Sequence, residues 1–219
     1  RLCLFTGDSL YNDLRKASDN LKADFTDALS WGQLKSKRWL VNELQRTGQE
    51  LRTVFVLGGW YGTLSAMLFN SSMKIHYIRS FDIDEKCTPI ADAVNNTYVQ
   101  NDWQFKAITE DMHNINYDAH TWSCWSTKNN RNSFPITDRP KTIINTSCEH
   151  IDNFTKWYDS IPKGKLLVLQ TNNFEGIKEH VNCSKDLESF AKQTPMKEVL
   201  YQGELELSKY TRFMRIGFK

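Results

Sequence analysis

The segment TVFVLGGWYGTLSAMLF, residues 53–69, constrains the chain more than any other: a short β-branched apolar run, a turn holding three glycines and a helical pattern follow one another without a gap. A short apolar run closed by glycine reads as a buried strand, and apolar residues at three- and four-residue spacing read as a helix. IHYIRSF at 75–81 is strand-like again, so the stretch forms one strand–helix–strand unit, whose crossover is right-handed. Gly58 permits the tight turn, Gly59 permits close approach to a ligand, and Gly62 permits the helix to start against the strand, because none carries a Cβ. Asp82 stands directly after the second strand, about twenty residues beyond Gly62, where a carboxylate accepts both hydroxyl hydrogens of an adenosine ribose. Asp84 shares its face of the strand end, but Asp82 is the more strand-proximal; Asp84 and Glu85 read as an exposed acidic helix start. The glycines at 58, 59 and 62 do not match the G-x-G-x-x-G spacing that holds a pyrophosphate, which disfavours a dinucleotide.

The alternation continues on the carboxyl side. A helix with Pro89 in its first turn carries Ile90, Ala93, Val94 and Thr97 on one side, and WQFKAI at 103–108 is a third strand. Residues 112–140 are rich in Asn, Ser, Thr and Asp, with Pro135 and Pro140, and read as a long loop. Loops of that length are often functional, so Trp122 and Trp125 either cover a substrate or sit on a surface insertion. TIINTS at 142–147 and KLLVLQ at 165–170 are two more buried strands, separated by a helix around Asn153 to Ile161. After a helix near Ser184 to Gln193, the tail folds as an antiparallel hairpin turning around Gln202-Gly203. Ahead of the first strand, Leu10, Leu14, Ala17, Leu21, Phe25 and Leu29, then Leu40 and Leu44, recur at helical spacing. Residues 1–49 are therefore a helical N-terminal extension to a domain over 50–219.

VFVLGGWYGTLSAML, IRSFDIDEKCTPIADAV, FKAITEDM and TIINTS together resemble the successive cofactor motifs of class I S-adenosylmethionine (SAM)-dependent methyltransferases, over roughly residues 50–219. The resemblance implies a Rossmann-like, doubly wound α/β fold with a mostly parallel seven-stranded sheet, strand order 3-2-1-4-5-7-6, and an antiparallel C-terminal hairpin. It implies SAM as cofactor, Gly58, Gly59 and Gly62 around the methionine moiety, Asp82 on the ribose, and Asp111 with Met112 at the adenine. Two positions depart from the pattern. Val56 stands where an acidic residue is usual, and Trp60 replaces a common glycine. Gln33 or Asn145 are candidates to replace the missing contact to the methionine amino group; for Gln33 the alternative is a helix-start residue.

A methyl transfer needs an aligned nucleophile and a nearby base, while the cofactor carries the hard chemistry. Asn145, Ser147, Cys148, Glu149 and His150 follow the fourth strand, at the carboxyl edge where open α/β sheets bind ligands. His150 is the candidate general base, with Glu149 orienting it or binding a substrate amine; the alternative is that both cap the next helix. Cys148 beside a carboxylate is a poor nucleophile and reads as structural. Gln170, Asn172 and Asn173 either bind substrate or form a turn. His113 covers the cofactor edge, and Trp60 and Tyr61 stack on a ligand or pack in the core. No metal cage is evident, since His and carboxylate positions lack the spacing of motifs such as H-E-x-x-H.

A formal net charge of +2 implies no phosphate-binding surface, and Asn145-Thr146-Ser147-Cys148 stands where nucleic-acid amino-methylating enzymes carry an N-P-P-Y type segment. The acceptor is thus expected to be a small molecule or a protein rather than nucleic acid, with Lys35, Lys37 and Arg38 read as a solvated helix face. No stretch is long and apolar enough to span a membrane, the opening RLCLFTGDSL has no signal-like pattern, and the five scattered cysteines read as reduced thiols, which together point to the cytoplasm. Transfer of the aminocarboxypropyl group from the same cofactor, or a non-catalytic SAM-binding scaffold, are the alternative functions.

Overall fold

Two helices lead the chain, α1 (Gly7–Leu21) and α2 (Trp31–Arg46), followed by β1 (Arg52–Leu57), α3 (Thr63–Phe69), β2 (Ile75–Asp82), α4 (Cys87–Val94), α5 (Asn96–Gln100) and β3 (Phe105–Thr109). Strands β4 (His120–Trp125) and β5 (Ser133–Asp138) intervene before β6 (Thr142–Asn145), α6 (Phe154–Ser160), β7 (Leu166–Asn172), α7 (Leu187–Gln193), β8 (Glu198–Glu206) and β9 (Thr211–Phe218). The structure is a computed structural model in which residues 7–125 and 133–219 are described; Cys3 and positions 126–132 of the expected loop lie outside the described residues.

Seven strands form one sheet in the order β3-β2-β1-β6-β7-β9-β8, and β9 alone runs opposite to the other six. Counting main-sheet strands alone, this is the expected 3-2-1-4-5-7-6. Strands β6 and β7 are buried along their whole length, and β1 from Val54 to Leu57, because helices cover both faces of a parallel sheet. The two-residue period of a strand divides β1 between two cores. Val54 and Val56 face Leu40, Val41 and Leu44 of α2 together with Leu64 and Leu68 of α3. Phe55 and Leu57 face Phe81, Phe154, Trp157, Leu167 and Leu169.

Four expectations need correction. The polar segment 112–140 is not an irregular loop: β4 and β5 pair antiparallel within it, with His120 opposite Asp138 and Ser123 opposite Pro135. Proline is admitted because β5 is an edge strand paired on one side only. The C-terminal hairpin turns not at Gln202-Gly203, which lies inside β8, but between Glu206 and Thr211, where the Leu207 amide donates to the Tyr210 carbonyl at 2.9 Å. The helix after Pro89 breaks at buried Asn95, whose side chain donates to the carbonyls of Gly62 and Ala91, so Thr97 belongs to α5. Phe25 and Leu29 lie beyond the end of α1.

The β4–β5 hairpin is fastened to the main sheet by ionic and polar contacts. Asp138 accepts from Arg79 Nε and from Trp122 Nε1, both at 2.7 Å, and the Arg79 guanidinium stacks over the Trp122 ring at 5.0 Å. Trp122 is thereby buried as an anchor instead of covering a cleft, while the Trp125 side chain lies outside the described residues. Among the described residues no helix is long and apolar enough to cross a membrane.

Candidate functional site

Everything at the site hangs from the turn after β1. Gly58 has φ +59°, a left-handed conformation that glycine adopts without a Cβ clash. Gly59 is needed for a different reason: a Cβ there would stand 1.9 Å from Ser80 Oγ, so what it approaches closely is β2 itself. Gly62 opens α3 against α4, where a Cβ would meet Ala91 and Asn95, and not against the strand as expected. Trp60, between them, is held at φ +48° although it is not glycine. The compensation is visible, since its amide donates to Asp82 Oδ2 at 2.8 Å. Asp82 Oδ1 accepts from the Asp84 amide at 3.0 Å, so one half-buried carboxylate ties the β1 turn to the β2 turn. Asp84 is exposed and accepts the Lys86 amide at the start of α4, the helix-start role expected of it.

These turns form the floor of a cleft of about 850 Å³, within the range of small-molecule sites. Gly58, Gly59, Trp60, Asp82, Asp111 and Met112 all line it. Asp111 caps a short 3-10 turn by accepting the His113 amide at 2.9 Å, and exposed His113 lies at the same edge. Glu110 beside it pairs with His120 Nε2 at 3.2 Å, linking this wall to the β4–β5 hairpin. Tyr61 packs edge-on against Phe25.

The facing wall comes from α2 and from the segments after β6 and β7. Gln33 and Lys37 both line the cleft, and Lys37 Nζ donates to Gln33 Oε1. Lys37 is buried, not solvated as its charge suggested, because it follows Gln33 and precedes Leu40 and Leu44 on the inward face of α2. Burial, with a smaller push from the Arg212 guanidinium, lowers its ammonium pKa to about 8. Lys35 reaches the Glu206 carbonyl instead, and Arg38 is exposed.

Of the residues expected to react, Glu149 and His150 line the cleft and Asn145 does not. Asn145 is fully buried, accepting the Ser147 amide at 2.8 Å and reaching Met112 Sδ with its amide nitrogen at 3.8 Å; it shapes the floor from beneath. Glu149 is 2% exposed; its Oε1 accepts from Asn172 at 2.6 Å and lies 3.5 Å from Arg212 Nη2, while Oε2 is buried without a hydrogen-bond partner. It does not orient His150, whose Nδ1 meets the Glu179 carbonyl at 3.1 Å. Cys148 is fully buried, and burial followed by the Glu149 charge pushes its thiol pKa well above the usual value, as a structural thiol requires. Gln170 is buried against Ser36 and Arg212, and Asn173 braces Thr211, which leaves Asn172 as the one of the three on the cleft.

Linear spacing missed two neighbours. His180, in the irregular segment after β7, packs edge-on to His150 with ring centroids 4.6 Å apart. Ligand atoms of Glu149, His150 and His180 lie within 4.8 Å of one another, a grouping that carries no helical ligand spacing in the sequence. Arg212, from β9, was missed as well: it donates to the Thr146 carbonyl at 2.8 Å and lines the same wall.

Neither a protein-family model nor a curated protein matches the sequence. Solved structures do match. The N-methyltransferase NodS from Bradyrhizobium japonicum WM9, in complex with S-adenosyl-L-homocysteine (SAH), is 9% identical with a TM-score of 0.59, over 94% of this chain and 97% of that one. The magnesium protoporphyrin IX methyltransferase ChlM from Synechocystis PCC 6803, with bound SAH, is 13% identical with a TM-score of 0.60, over 96% and 94% of the two chains. At such identities the likeness establishes the fold.

Proposed function

We propose that this chain, whose fold is that of the class I SAM-dependent methyltransferases, binds SAM in the cleft over the β1 turn and methylates an acceptor held between Glu149, His150 and Arg212. The observation that carries the reading is Asp82, a carboxylate fixed by two backbone amides on the wall of an 850 Å³ cleft, with acceptor capacity left for two ribose hydroxyls. Asp111 and Met112 flank the adenine, and the Gly58–Gly59 backbone leaves room beside the methionine portion. Val56 lines the cleft where a carboxylate is usual, so the amino-acid end has to be recognised otherwise. Gln33 offers an acceptor to its ammonium group and Lys37 a cation to its carboxylate; a zwitterion placed there replaces the bond the two make with each other. Within the extension over 1–49, α2 thus completes the cofactor site of the domain over 50–219.

When bound, SAM supplies a sulfonium-activated methyl group. The chain's own residues position and deprotonate the acceptor. His150 donates from Nδ1 to a carbonyl, which makes Nε2 the nitrogen able to take a proton. A cleft with Arg212 and buried Glu149 on its wall favours a small acceptor, or a side chain of a protein, over a nucleic acid. Calorimetric titration with SAH tests the cofactor assignment: binding supports it, and wild-type protein that binds neither SAM nor SAH overturns it. The departure at Val56 keeps aminocarboxypropyl transfer as the second reading. Methylthioadenosine as the product, instead of SAH, would establish that alternative.

A further inference from the structure

We propose that Glu149, His150 and His180 bind a divalent first-row transition cation of the zinc type at the acceptor end of the cleft. The proposal deepens the reading above and rests on it for the ion's purpose, though not for its binding. Two ligands of one tetrahedral ion, each about 2.1 Å from it, stand roughly 3.4 Å apart, so a group lying within 4.8 Å has to contract by up to about 1.4 Å. Small adjustments of the exposed His150 side chain that keep its Nδ1 bond to the Glu179 carbonyl supply part of that.

Two further observations point to a ligand. The first is tautomeric: backbone carbonyls only accept, so His150 donates from Nδ1 to Glu179 and His180 donates from Nδ1 to Phe174. Both imidazoles therefore carry their lone pair on Nε2, and a ring nitrogen donating to a carbonyl is the usual support of a metal-bound histidine. The second is Glu149, a carboxylate almost wholly buried, whose Oε1 takes Asn172 and Arg212 while Oε2 has no partner. A buried anionic oxygen left without a donor is a place for a cation. Arg212 and Lys37 oppose an isolated positive charge nearby, but Arg212 engages the other oxygen of the carboxylate. The same two cations would favour an anionic acceptor beside the ion.

Two imidazoles and one carboxylate form a donor set suited to zinc and its neighbours rather than to magnesium or calcium. Three protein ligands leave a fourth position open, where the acceptor's oxygen or nitrogen would bind and release its proton to solvent more readily, His150 Nε2 then being held by the ion. Activation of the acceptor then shifts from proton abstraction by His150 to polarisation by the ion.

The test uses the full chain stripped with a chelator. Zinc is titrated calorimetrically and cobalt(II) by its visible absorption, in wild type, His180→Gln and Glu149→Gln, with SAH titrated in parallel and folding checked by circular dichroism. The expected result is one equivalent of metal on wild type, binding weakened at least ~10-fold in each variant, and SAH affinity unchanged in His180→Gln. Wild type that takes up no stoichiometric metal, or folded variants that bind it as wild type does, would overturn the proposal. SAH binding without metal removes this inference and leaves the function; metal binding without SAH does the reverse.

Discussion

Replacing Asp82 by Asn separates the two tasks assigned to that carboxylate. In the wild type its oxygens accept the Trp60 and Asp84 amides at 2.8 and 3.0 Å. An asparagine offers one oxygen and one NH₂ group, so whichever way it turns, a donor faces one of those amides. Asp82 is half-buried and water reaches the orphaned amide, so the loss of fold stability falls at the low end for a bond to a charged acceptor, about 1.5 kcal/mol. Cofactor binding suffers more, because the ribose loses the anionic acceptor for at least one hydroxyl. A charge-assisted bond of about 1.5–3 kcal/mol corresponds to SAH affinity falling roughly 10- to 150-fold. Asp84→Asn is the control: exposed Asp84 accepts the Lys86 amide at 2.9 Å outside the cleft lining, and its change should move affinity by less than about threefold. Calorimetry with SAH, beside urea denaturation, reads both effects. Asp82→Asn binding SAH within threefold of wild type, or Asp84→Asn losing as much, would refute the assignment.

Gly59→Ala should cost about 1–3 kcal/mol in urea denaturation by forcing its Cβ on Ser80 Oγ, and pairing it with Ser80→Ala should recover part of that; equal losses with and without Ser80 would count against the close approach. Asp138→Ala strands the buried Arg79 guanidinium and should destabilise by about 3–5 kcal/mol, whereas a loss below 1 kcal/mol would mean that the hairpin is not held as described. Lys37 has its pKa lowered from 10.5 to about 8, so the unfolded chain binds the more protons between those values. Stability contributed at this position is therefore lowest below pH 8 and rises as pH climbs towards 10.5, by at most about 3 kcal/mol. Wild type should gain on Lys37→Met as pH is raised from 7.5 to 9.5; parallel urea midpoints would contradict the burial of a charged ammonium.

How much of this is legible in the sequence depends on whether local pattern or distant packing decides. The β1–α3–β2 unit is legible because strand, glycine turn, helix and Asp82 follow within one short stretch, each element carrying its own signature. The β4–β5 hairpin is less so. In HTWSCW the residues alternate buried and exposed from His120 to Cys124, but Ser, Thr and Pro135 give the segment a turn-like composition that masks the period. Gly203 misled in the opposite direction, since glycine and a polar neighbour mark turns, yet here they stand inside β8. At the site, Lys37 shares helical spacing with Leu40 and Leu44, a signal that its charge obscured. His180 left no local signal: thirty positions from His150, in a segment without regular structure, it is brought there only by the fold.

The Arg79–Asp138 pair also bears on the order in which the sheet can assemble. Placing β6 beside β1 requires a long excursion of chain to close, at an entropic cost that grows with its effective length. Strands β4 and β5 are near in sequence and pair early by the same reasoning, removing the stretch between His120 and Asp138 from that excursion. When Asp138 then finds Arg79 on β2, Thr142 and the rest of β6 follow close behind it in sequence and are delivered to the open edge of β1. An insertion of that kind is a splint: paired on itself and pinned to β2, it shortens the chain that must close before the strand whose carboxyl end carries Glu149 and His150 reaches β1.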